Sequence, residues 1–525
     1  MNRKFIILLF AVALTFFNVS CDSYLDETPD NRTELDSENK IAKILVSAYP
    51  TDSPNLFLEQ MSDNTDESVG TGYSSFARFQ DQVYAWEDVT ETNNEDPGRT
   101  WSAHYMAITN ANQALDAIEE LGNPENLEPY RGEALICRAY AHFILVNVFC
   151  LPYNETSSSK DLGIPYMEEA ETTLNPKYER GNVADVYAKI EKDIEAGLPL
   201  ISDNAYSVPK YHFNRQAAYA FAARFYLFYR KYDKVIQCAN TALGGTPASM
   251  LRNWEEMGSM TRNLAILSEH YIKADHKANL LMVTGYSSMG LLYGGYIFGT
   301  KYRHHPYTSG TEMVTANAPW GDYNSSLCYV SPFSYNTPGS YRFVEIPRCP
   351  DLFQYTDPVA QTGYRRSIHV LFTADETLLC RAEASIMQGD YESALEDMNL
   401  WVNARFKPAA RKTLTAELIN NYYNNMAYYE PLNPTIKKRL NPSFTVNAGQ
   451  QENFIHCILQ MRRLENYSTG LRWFDTNRYG IVIYRRTIDN NNVVTETDKM
   501  DVNDPRRAIQ LPADVISAGM TPNPR

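Results

Sequence analysis

The sequence lacks the features of several large classes of protein. Lys and Arg number 48 against 63 Asp and Glu, so the formal net charge is −15. Nucleic-acid-binding proteins concentrate basic residues against phosphates, and this balance argues against a nucleic-acid partner. There is no phosphate-binding loop, no H-E-x-x-H motif and no G-x-S-x-G motif, since GYSSMG at residues 285–290 has the wrong spacing. The sequence therefore predicts no catalytic residue, no metal and no cofactor.

Cysteine is sparse and scattered. The chain has eight cysteines, and none forms the C-x-x-C pair that is typical of zinc or redox sites. Several lie in apolar helical patterns and are predicted to be buried thiols. Cys328 and Cys349 could pair in an oxidising compartment, and the residues alone leave that open.

One apolar run stands apart from the rest, at the N-terminus. Arg3 and Lys4 precede apolar residues 5–17, a segment too short to span a bilayer and typical of a secretory signal. It ends at Cys21 in a pattern that resembles a bacterial lipobox, apart from Asn18. We expect cleavage before Cys21 and lipidation of its thiol, so that acyl chains hold the protein to a membrane. The alternative is an ordinary signal with a chance cysteine.

Helical periodicity is the main pattern beyond residue 100. Residues 100–121, 131–149 and 183–200 place apolar side chains at steps of three and four, which predicts amphipathic helices. Residues 222–240 and 381–399 resemble each other at a constant offset, and each reads as helix, short polar turn and helix. This pattern is similar to the tetratricopeptide hairpin, whose units bury their apolar faces by stacking on one another.

The middle of the chain has a different composition. Residues 284–361 are rich in Gly, Ser, Asn, Pro and Tyr, and they lack helical periodicity. Their many aromatic residues argue against disorder. We predict a long, ordered, loop-rich lobe on the helical scaffold, and such loops commonly carry binding sites.

Aromatic residues in polar loops are the strongest functional signal. A sugar ring has an apolar face that an aromatic ring can accept, and a rim of hydroxyls that amides and charged groups can bond. Trp86, Trp320, Tyr296 and Tyr323 are predicted stacking platforms, with Asn93 as a polar rim contact. The alternative for each single aromatic residue is packing in the core.

Two further clusters are predicted to be structural. In GLRWFDTNRYG, residues 470–480, Arg472, Asp475 and Arg478 are spaced to form a charge ladder on a helix. His304 and His305 are adjacent, and a solvated loop is preferred to a metal site there.

Several segments together carry a family resemblance. In their order and spacing they resemble the SusD/RagB family, the outer-membrane nutrient-binding lipoproteins of Bacteroidetes. The segments are KILVSAYP (43–50), WSAHYMAITNANQAL (101–115), EALICRAYAHFILVNVFCLPY (133–153), ETLLCRAEASIMQGDYESALEDMNLWVNARF (376–406) and MRRLENYSTGLRWFDTNRYG (461–480).

The resemblance implies a mainly α fold, a scaffold of tetratricopeptide-like helical hairpins with a loop-rich, irregular second lobe. Residues 1–20 are then a lipoprotein signal peptide, and residues 21–40 are the lipidated cysteine and an acidic spacer. Residues 41–220 form the N-terminal SusD-like helical region. Residues 221–525 form the C-terminal region, which includes the lobe at 284–361.

The resemblance also implies a function. Such proteins sit at the cell surface, lipid-anchored in the outer membrane, bind a glycan without cleaving it, and deliver it to a SusC-like TonB-dependent transporter. Three alternatives stay open: peptide uptake on the same scaffold, a glycoside hydrolase with a carboxylate pair hidden among 63 acidic residues, or a purely structural role. The residues do not choose the sugar.

Overall fold

The computed structural model describes most of the chain after the predicted signal and spacer. The described residues are 35–68, 78–171, 177–294, 301–321, 327–336, 342–409 and 411–525. Cys21, Tyr296 and Tyr323 lie outside these ranges, as does the predicted signal peptide.

Within these ranges the chain forms eighteen α-helices, which confirms the prediction of a mainly helical protein. In chain order they are α1 (Glu38–Leu45), α2 (Asn55–Met61), α3 (Arg78–Tyr84), α4 (Pro97–Glu120), α5 (Glu128–Phe149), α6 (Val183–Gly197), α7 (Arg215–Phe228), α8 (Tyr232–Leu243), α9 (Trp254–Ser259), α10 (Leu264–Tyr271), α11 (Met289–Tyr293), α12 (Pro306–Glu312), α13 (Ala374–Gln388), α14 (Tyr391–Arg405), α15 (Ala416–Asn424), α16 (Gln450–Glu465), α17 (Leu471–Arg478) and α18 (Ala513–Ser517).

Short strands connect and flank the helices. They are β1 (Asp66–Ser68), β2 (Asn279–Tyr286), β3 (Tyr302–Arg303), β4 (Phe333–Asn336), β5 (Arg342–Glu345), β6 (Leu352–Asp357), β7 (Thr362–Thr373), β8 (Ile483–Ile488) and β9 (Val494–Met500). They form sheets in the orders β3-β1-β8-β9, β2-β7-β6 and β4-β5. Strands β2 to β6 lie wholly or partly inside residues 284–361, so the lobe predicted as loops contains small sheets.

Helical hairpins form the scaffold, as the repeat predicts. Helices α7 and α8 pair, α13 and α14 pair, and α8 packs on α13 so that the two hairpins stack. Alanines at the contacts, such as Ala223 and Ala382, are fully buried and let the helices approach closely. Gly389 ends α13 with a φ of 82°, a left-handed conformation that favours glycine.

Helix α5 forms the centre of the N-terminal half. Residues 125–149 are long and apolar enough to cross a membrane, yet the apolar stretch is entirely buried inside the protein. Helices α4 and α6 pack against α5. The apolarity of this segment is therefore that of a core helix.

Buried ion pairs join the two ends of the chain. The carboxylate of Asp63 accepts bonds from Nε and Nη2 of Arg472 at 2.7 and 2.9 Å, and Arg463 lies 3.5 Å away. Burial alone would raise the pKa of Asp63, but the two arginines outweigh it and hold the pKa well below its usual range. The loop after α2 is thus fastened to α16 and α17, about 400 residues later in the chain.

The charge ladder in α17 is confirmed in half. Arg478 contacts Asp475 at 2.8 Å, whereas Arg472 points to Asp63, and Arg462 is the second partner of Asp475. Trp473 and Phe474 are buried. The long-range partner of Arg472 could not be deduced from spacing along one helix.

The prediction of a solvated loop at the two histidines is wrong. Both His304 and His305 are fully buried. His304 lies between Glu59, at 2.8 Å, and Glu345, at 3.7 Å; burial would lower its pKa, but the two carboxylates raise it. No cluster of three metal-ligating side chains occurs in the part of the chain that the structure describes. Cys349 is a free thiol, so its possible disulfide with Cys328 is not formed.

Candidate functional site

Trp86 lies inside the protein and not on a ligand surface. Its side chain is 3% exposed, and its indole N–H donates to the carbonyl of Met61 at 3.0 Å. The guanidinium of Arg485 lies 4.0 Å from the ring centroid. Trp86 also has a φ of 56°, a conformation that non-glycine residues rarely adopt. This environment gives the ring a packing role and counts against the predicted stacking platform.

Trp320 is also buried. Its ring is 1% exposed and lies 5.7 Å from the ring of Trp401 and 6.5 Å from that of Phe406. A ring that stacks on a ligand must present a face to solvent, and this ring presents none here. Tyr293, another aromatic residue of the same lobe, is buried as well, in α11. The burial of Trp320 therefore argues against the prediction that it is a stacking platform.

Asn93 lies on the wall of a large cleft. Its side-chain oxygen accepts from the backbone N–H of Glu95 at 3.1 Å, and its own backbone N–H donates to Asp96 at 2.7 Å. Asp96 in turn caps α4 by accepting from the backbone N–H of Arg99 at 2.8 Å. Asn93 thus shapes the turn that starts α4, and its amide group stays at the edge of the cleft.

We call this cavity the terminal cleft. It has a volume of about 610 Å³ and is lined by residues 89–94, 96–99, 102 and 509–514. One wall is the turn before α4, and the other is the segment that leads into α18. Its lining combines apolar side chains with polar ones, and the cleft is open to solvent.

Next to the cleft, the β2-β7-β6 sheet presents aromatic side chains. Tyr286 on β2 is the register partner of Arg366 on β7, so both side chains lie on one face of the sheet. Tyr364, two residues before Arg366, lies on the same face and opposite Gln354 of β6. We call this surface the tyrosine face: Tyr286, Gln354, Tyr364 and Arg366.

The tyrosine face is ordered by side-chain contacts and stays open to solvent. The rings of Tyr286 and Tyr364 meet edge to face at 5.5 Å. The guanidinium of Arg366 lies 4.2 Å from the ring centroid of Tyr286, and its Nε donates to Gln354 at 2.7 Å. Tyr364 is 49% exposed. An exposed ring held in place by neighbours loses little entropy when a ligand stacks on it.

Asp52 connects the tyrosine face to the terminal cleft. It forms a β-bridge with Tyr286, and its carboxylate lies 3.7 Å from Nη2 of Arg99 on the cleft wall. Asp52 is 3% exposed, and burial raises its pKa although Arg99 and Arg366 oppose the shift. The two surfaces are therefore neighbours that share one buried carboxyl group.

Glu95 fixes the loop before α4 to the end of β2. Its buried carboxylate accepts from the hydroxyl of Ser287 at 2.6 Å and from the backbone N–H of Ser288 at 2.9 Å. The hydroxyl of Ser288 donates to it as well. Burial raises the pKa of Glu95, and these hydrogen bonds oppose the shift. The carboxylate of Glu95 therefore holds the loop in place, and Glu95 is not among the residues that line the cleft.

The opposite face of the β6–β7 ribbon carries a second aromatic pair. Phe353 and Tyr355 are exposed, and their rings lie 4.9 Å apart. They alternate along β6 with Gln354 and so point away from the tyrosine face. Arg365, beside Arg366 on β7, is on this opposite face and pairs with Asp351.

Sequence reasoning missed every member of the tyrosine face. Tyr364 and Arg366 lie just beyond the predicted lobe, and Tyr286 lies at its start. A signal was present, because TGYRRSIHVLFT at residues 362–373 has the β-branched and aromatic content of a strand. The pairing of β7 with β2 joins residues about 80 positions apart and could not be read from local patterns.

The comparisons with known proteins agree with this architecture. A family model described as starch-binding and associating with the outer membrane, of the SusD-like type, matches residues 23–227. A curated relative, SusD-like protein P38 of Formosa agariphila, is 27% identical over 154 residues, which is 28% of this chain. The match spans about a quarter of that relative, 26% of its length.

Solved structures share the fold over nearly the whole chain. A SusD superfamily protein of Bacteroides thetaiotaomicron is 17% identical with a TM-score of 0.64, covering 92% of this chain and 98% of that one. A putative sugar-binding protein of Bacteroides vulgatus is 20% identical with a TM-score of 0.64, covering 94% and 99%. Residues 23–227 therefore match the SusD-like family model, and the fold of SusD superfamily structures extends over nearly the whole chain.

Proposed function

We propose that this protein is a cell-surface lipoprotein that binds an oligo- or polysaccharide and delivers it to a SusC-like TonB-dependent transporter without cleaving it. The family model is described as starch-binding and associating with the outer membrane. A structural neighbour of Bacteroides vulgatus is named a SusD-like carbohydrate-binding protein, at 15% identity and a TM-score of 0.62 over 91% of this chain and 96% of that one. The lipid anchor would be Cys21.

The observation that carries the proposal is the tyrosine face beside the terminal cleft. Tyr364 offers an exposed ring for the apolar face of a sugar, and Tyr286 supports it from the side. The cleft supplies amide and guanidinium groups at a ligand's hydroxyl rim, from Asn93, Asn94 and Arg99. Its volume of about 610 Å³ is in the range of small-molecule and oligosaccharide sites.

The carboxylates of the cleft are engaged in structural contacts, which supports binding without hydrolysis. A glycosidase needs a free pair of carboxyl groups on either side of the bond it cleaves. Glu91 pairs with Arg78 at 2.9 Å, and both oxygens of Asp96 accept from backbone N–H groups. Asp514 on the far wall accepts from the backbone N–H of Val515 at 3.0 Å. Each of these three acids therefore already has a partner within the protein.

A titration of the full-length protein in detergent tests the binding proposal. Plant, host and microbial polysaccharides and one peptide digest are injected in turn, and the heat is recorded. We expect saturating binding to one glycan class, with heats that return to baseline after each injection. Continuing heat would indicate turnover and contradict the proposal, and a response to the peptides alone would replace the glycan by a peptide.

Two variants locate the site. Tyr364→Ala should weaken binding about 10-fold, or ~1.4 kcal/mol, because a stacking ring is removed. Tyr355→Ala is the matched control, since it removes an exposed ring of the same ribbon from the opposite face. Equal losses in the two variants would refute the assignment to the tyrosine face.

The anchor and the transporter are tested separately. In cells, Cys21→Ser should release the mature protein from the outer-membrane fraction, because a serine cannot take the thioether-linked lipid. Retention of the variant in that fraction would contradict the lipoprotein proposal. Affinity purification of the tagged protein from its native membrane should also recover a TonB-dependent barrel. If the tagged protein is purified without such a barrel, the proposed delivery to a transporter is contradicted.

A further inference from the structure

Two arginines lie at the junction of the tyrosine face and the terminal cleft. The side chain of Arg99 is 51% exposed on the cleft wall. Arg366 stands over Tyr286, and its contact with Gln354 uses Nε, which leaves the terminal guanidinium nitrogens for a ligand. Both arginines act on the same buried carboxyl group, that of Asp52.

The buried carboxyl group of Asp52 interacts with both guanidinium groups and lies 3.7 Å from Arg99. Its burial disfavours the ionised form. Two permanent positive charges therefore face Asp52, which by itself does not neutralise both of them.

Neighbouring carboxylates have contacts of their own. Glu91 pairs with Arg78 at 2.9 Å. The oxygens of Asp96 accept from backbone N–H groups of the turn and of α4, and its charge acts on Asp52 as well. Glu95 is buried and bonded by Ser287 and Ser288. Arg99 and Arg366 thus keep guanidinium groups for a ligand, on a chain whose formal net charge is −15.

We propose that the site takes an acidic glycan, whose carboxylate or sulfate group binds Arg99 and Arg366 while its ring stacks on Tyr364. The inference rests on the proposed function and specifies its substrate class. A guanidinium group matches the planar, two-oxygen geometry of a uronate carboxylate and also binds sulfate oxygens. Stacking on Tyr286 and bonding to Gln354 hold Arg366 in one orientation, so that little side-chain entropy is lost on binding.

The experiment uses matched acidic and neutral ligands. The full-length protein in detergent is titrated with oligogalacturonides, with sulfated carrageenan oligosaccharides, and with the carboxyl-reduced or desulfated form of each. The uronate and sulfate arms distinguish the two sources of negative charge. We expect one acidic ligand to bind at least 10-fold more tightly than its neutral form, and its affinity to fall as salt rises.

Three variants assign the charge preference to the junction. Arg99→Gln and Arg366→Gln should each weaken the acidic ligand about 10-fold and leave the neutral form within about 2-fold. Arg365→Gln is the control, because Arg365 is on the opposite face of β7 and pairs with Asp351. Thermal unfolding of each variant checks its fold, and Arg99, which is half-exposed, provides a test that does not depend on packing.

The outcomes separate this inference from the proposed function. Equal binding of acidic and neutral glycans overturns the acidic-ligand inference and leaves glycan binding in place. An acidic preference that Arg365→Gln reduces as much as Arg99→Gln also overturns it. If none of these ligands binds but neutral polysaccharides of other types do, the acidic-ligand inference is also overturned. If no glycan of any kind binds, the proposed function itself fails.

Discussion

The buried side chain of His142 gives a prediction whose size can be worked out. His142 lies in α5 and is fully buried. Its Nδ1 lies 2.9 Å from the carbonyl of Arg138, so Nδ1 carries the hydrogen, and its Nε2 accepts from the backbone N–H of Met167 at 3.1 Å. The ring also stacks on Tyr166 at 3.8 Å. Only the neutral imidazole satisfies both hydrogen bonds.

The change in stability with pH follows from the shift of the pKa of His142. Burial lowers the pKa of His142 from 6.5 to about 3; the hydrogen bond to the carbonyl of Arg138 opposes this shift, and the positive charges of Arg138 and Lys189 add to it. Below pH 6.5 the imidazole of His142 is protonated in the unfolded chain and stays neutral in the folded protein. Stability is therefore lost as pH falls from 6.5 towards 3. At pH 4.5 the loss from this one residue is about 3 kcal/mol, at ~1.4 kcal/mol for each pH unit.

Urea unfolding at pH 7 and pH 4.5, followed by circular dichroism, measures the effect. Wild type should lose about 3 kcal/mol more between the two pH values than His142→Gln does, whatever the stability of the variant at pH 7. His212→Gln is the control, because His212 is partly exposed beside Glu133. If His142→Gln loses as much stability on acidification as wild type, the burial argument is refuted.

Three further predictions concern stability. Trp320→Ala should lower the free energy of unfolding in urea by about 3–5 kcal/mol, because the ring is buried against Trp401. Lost glycan binding at unchanged stability would contradict the packing role of Trp320. Gly470→Ala should lower the melting temperature, because φ is 77° and a Cβ would lie 2.9 Å from a neighbouring side chain; an unchanged melting temperature would contradict this. Asp63→Asn should lower the free energy of unfolding in urea by about 3–5 kcal/mol, because it leaves Arg472 without its buried partner. A loss under about 1 kcal/mol would contradict the role given to this ion pair.

The helical scaffold could be predicted because its signals are local. The apolar period of residues 100–121 and 131–149 corresponds to α4 and α5, and the internal repeat at 222–240 and 381–399 corresponds to the stacked hairpins. Turn residues such as Gly389 mark helix ends within a few positions. Each of these signals depends on neighbours along the chain.

The candidate site could not be predicted because it depends on distant pairing. Trp86 and Trp320 lie in polar sequence contexts, yet packing with Arg485 and Trp401 buries them. Tyr364 comes to lie beside Tyr286 and Gln354 only through the register of the β2-β7-β6 sheet. Composition indicates that aromatic side chains are present, but not which of them face solvent.

The location of the glycan is the central claim, and hydrogen exchange tests it most directly. Backbone exchange of the full-length protein is followed by mass spectrometry with and without a saturating glycan found by titration. The account predicts slower exchange at residues 87–102 and 352–366, the turn before α4 and the β6–β7 ribbon. Protection confined to the segment around Trp320, with none at the ribbon, would contradict the account and restore the site predicted from the sequence.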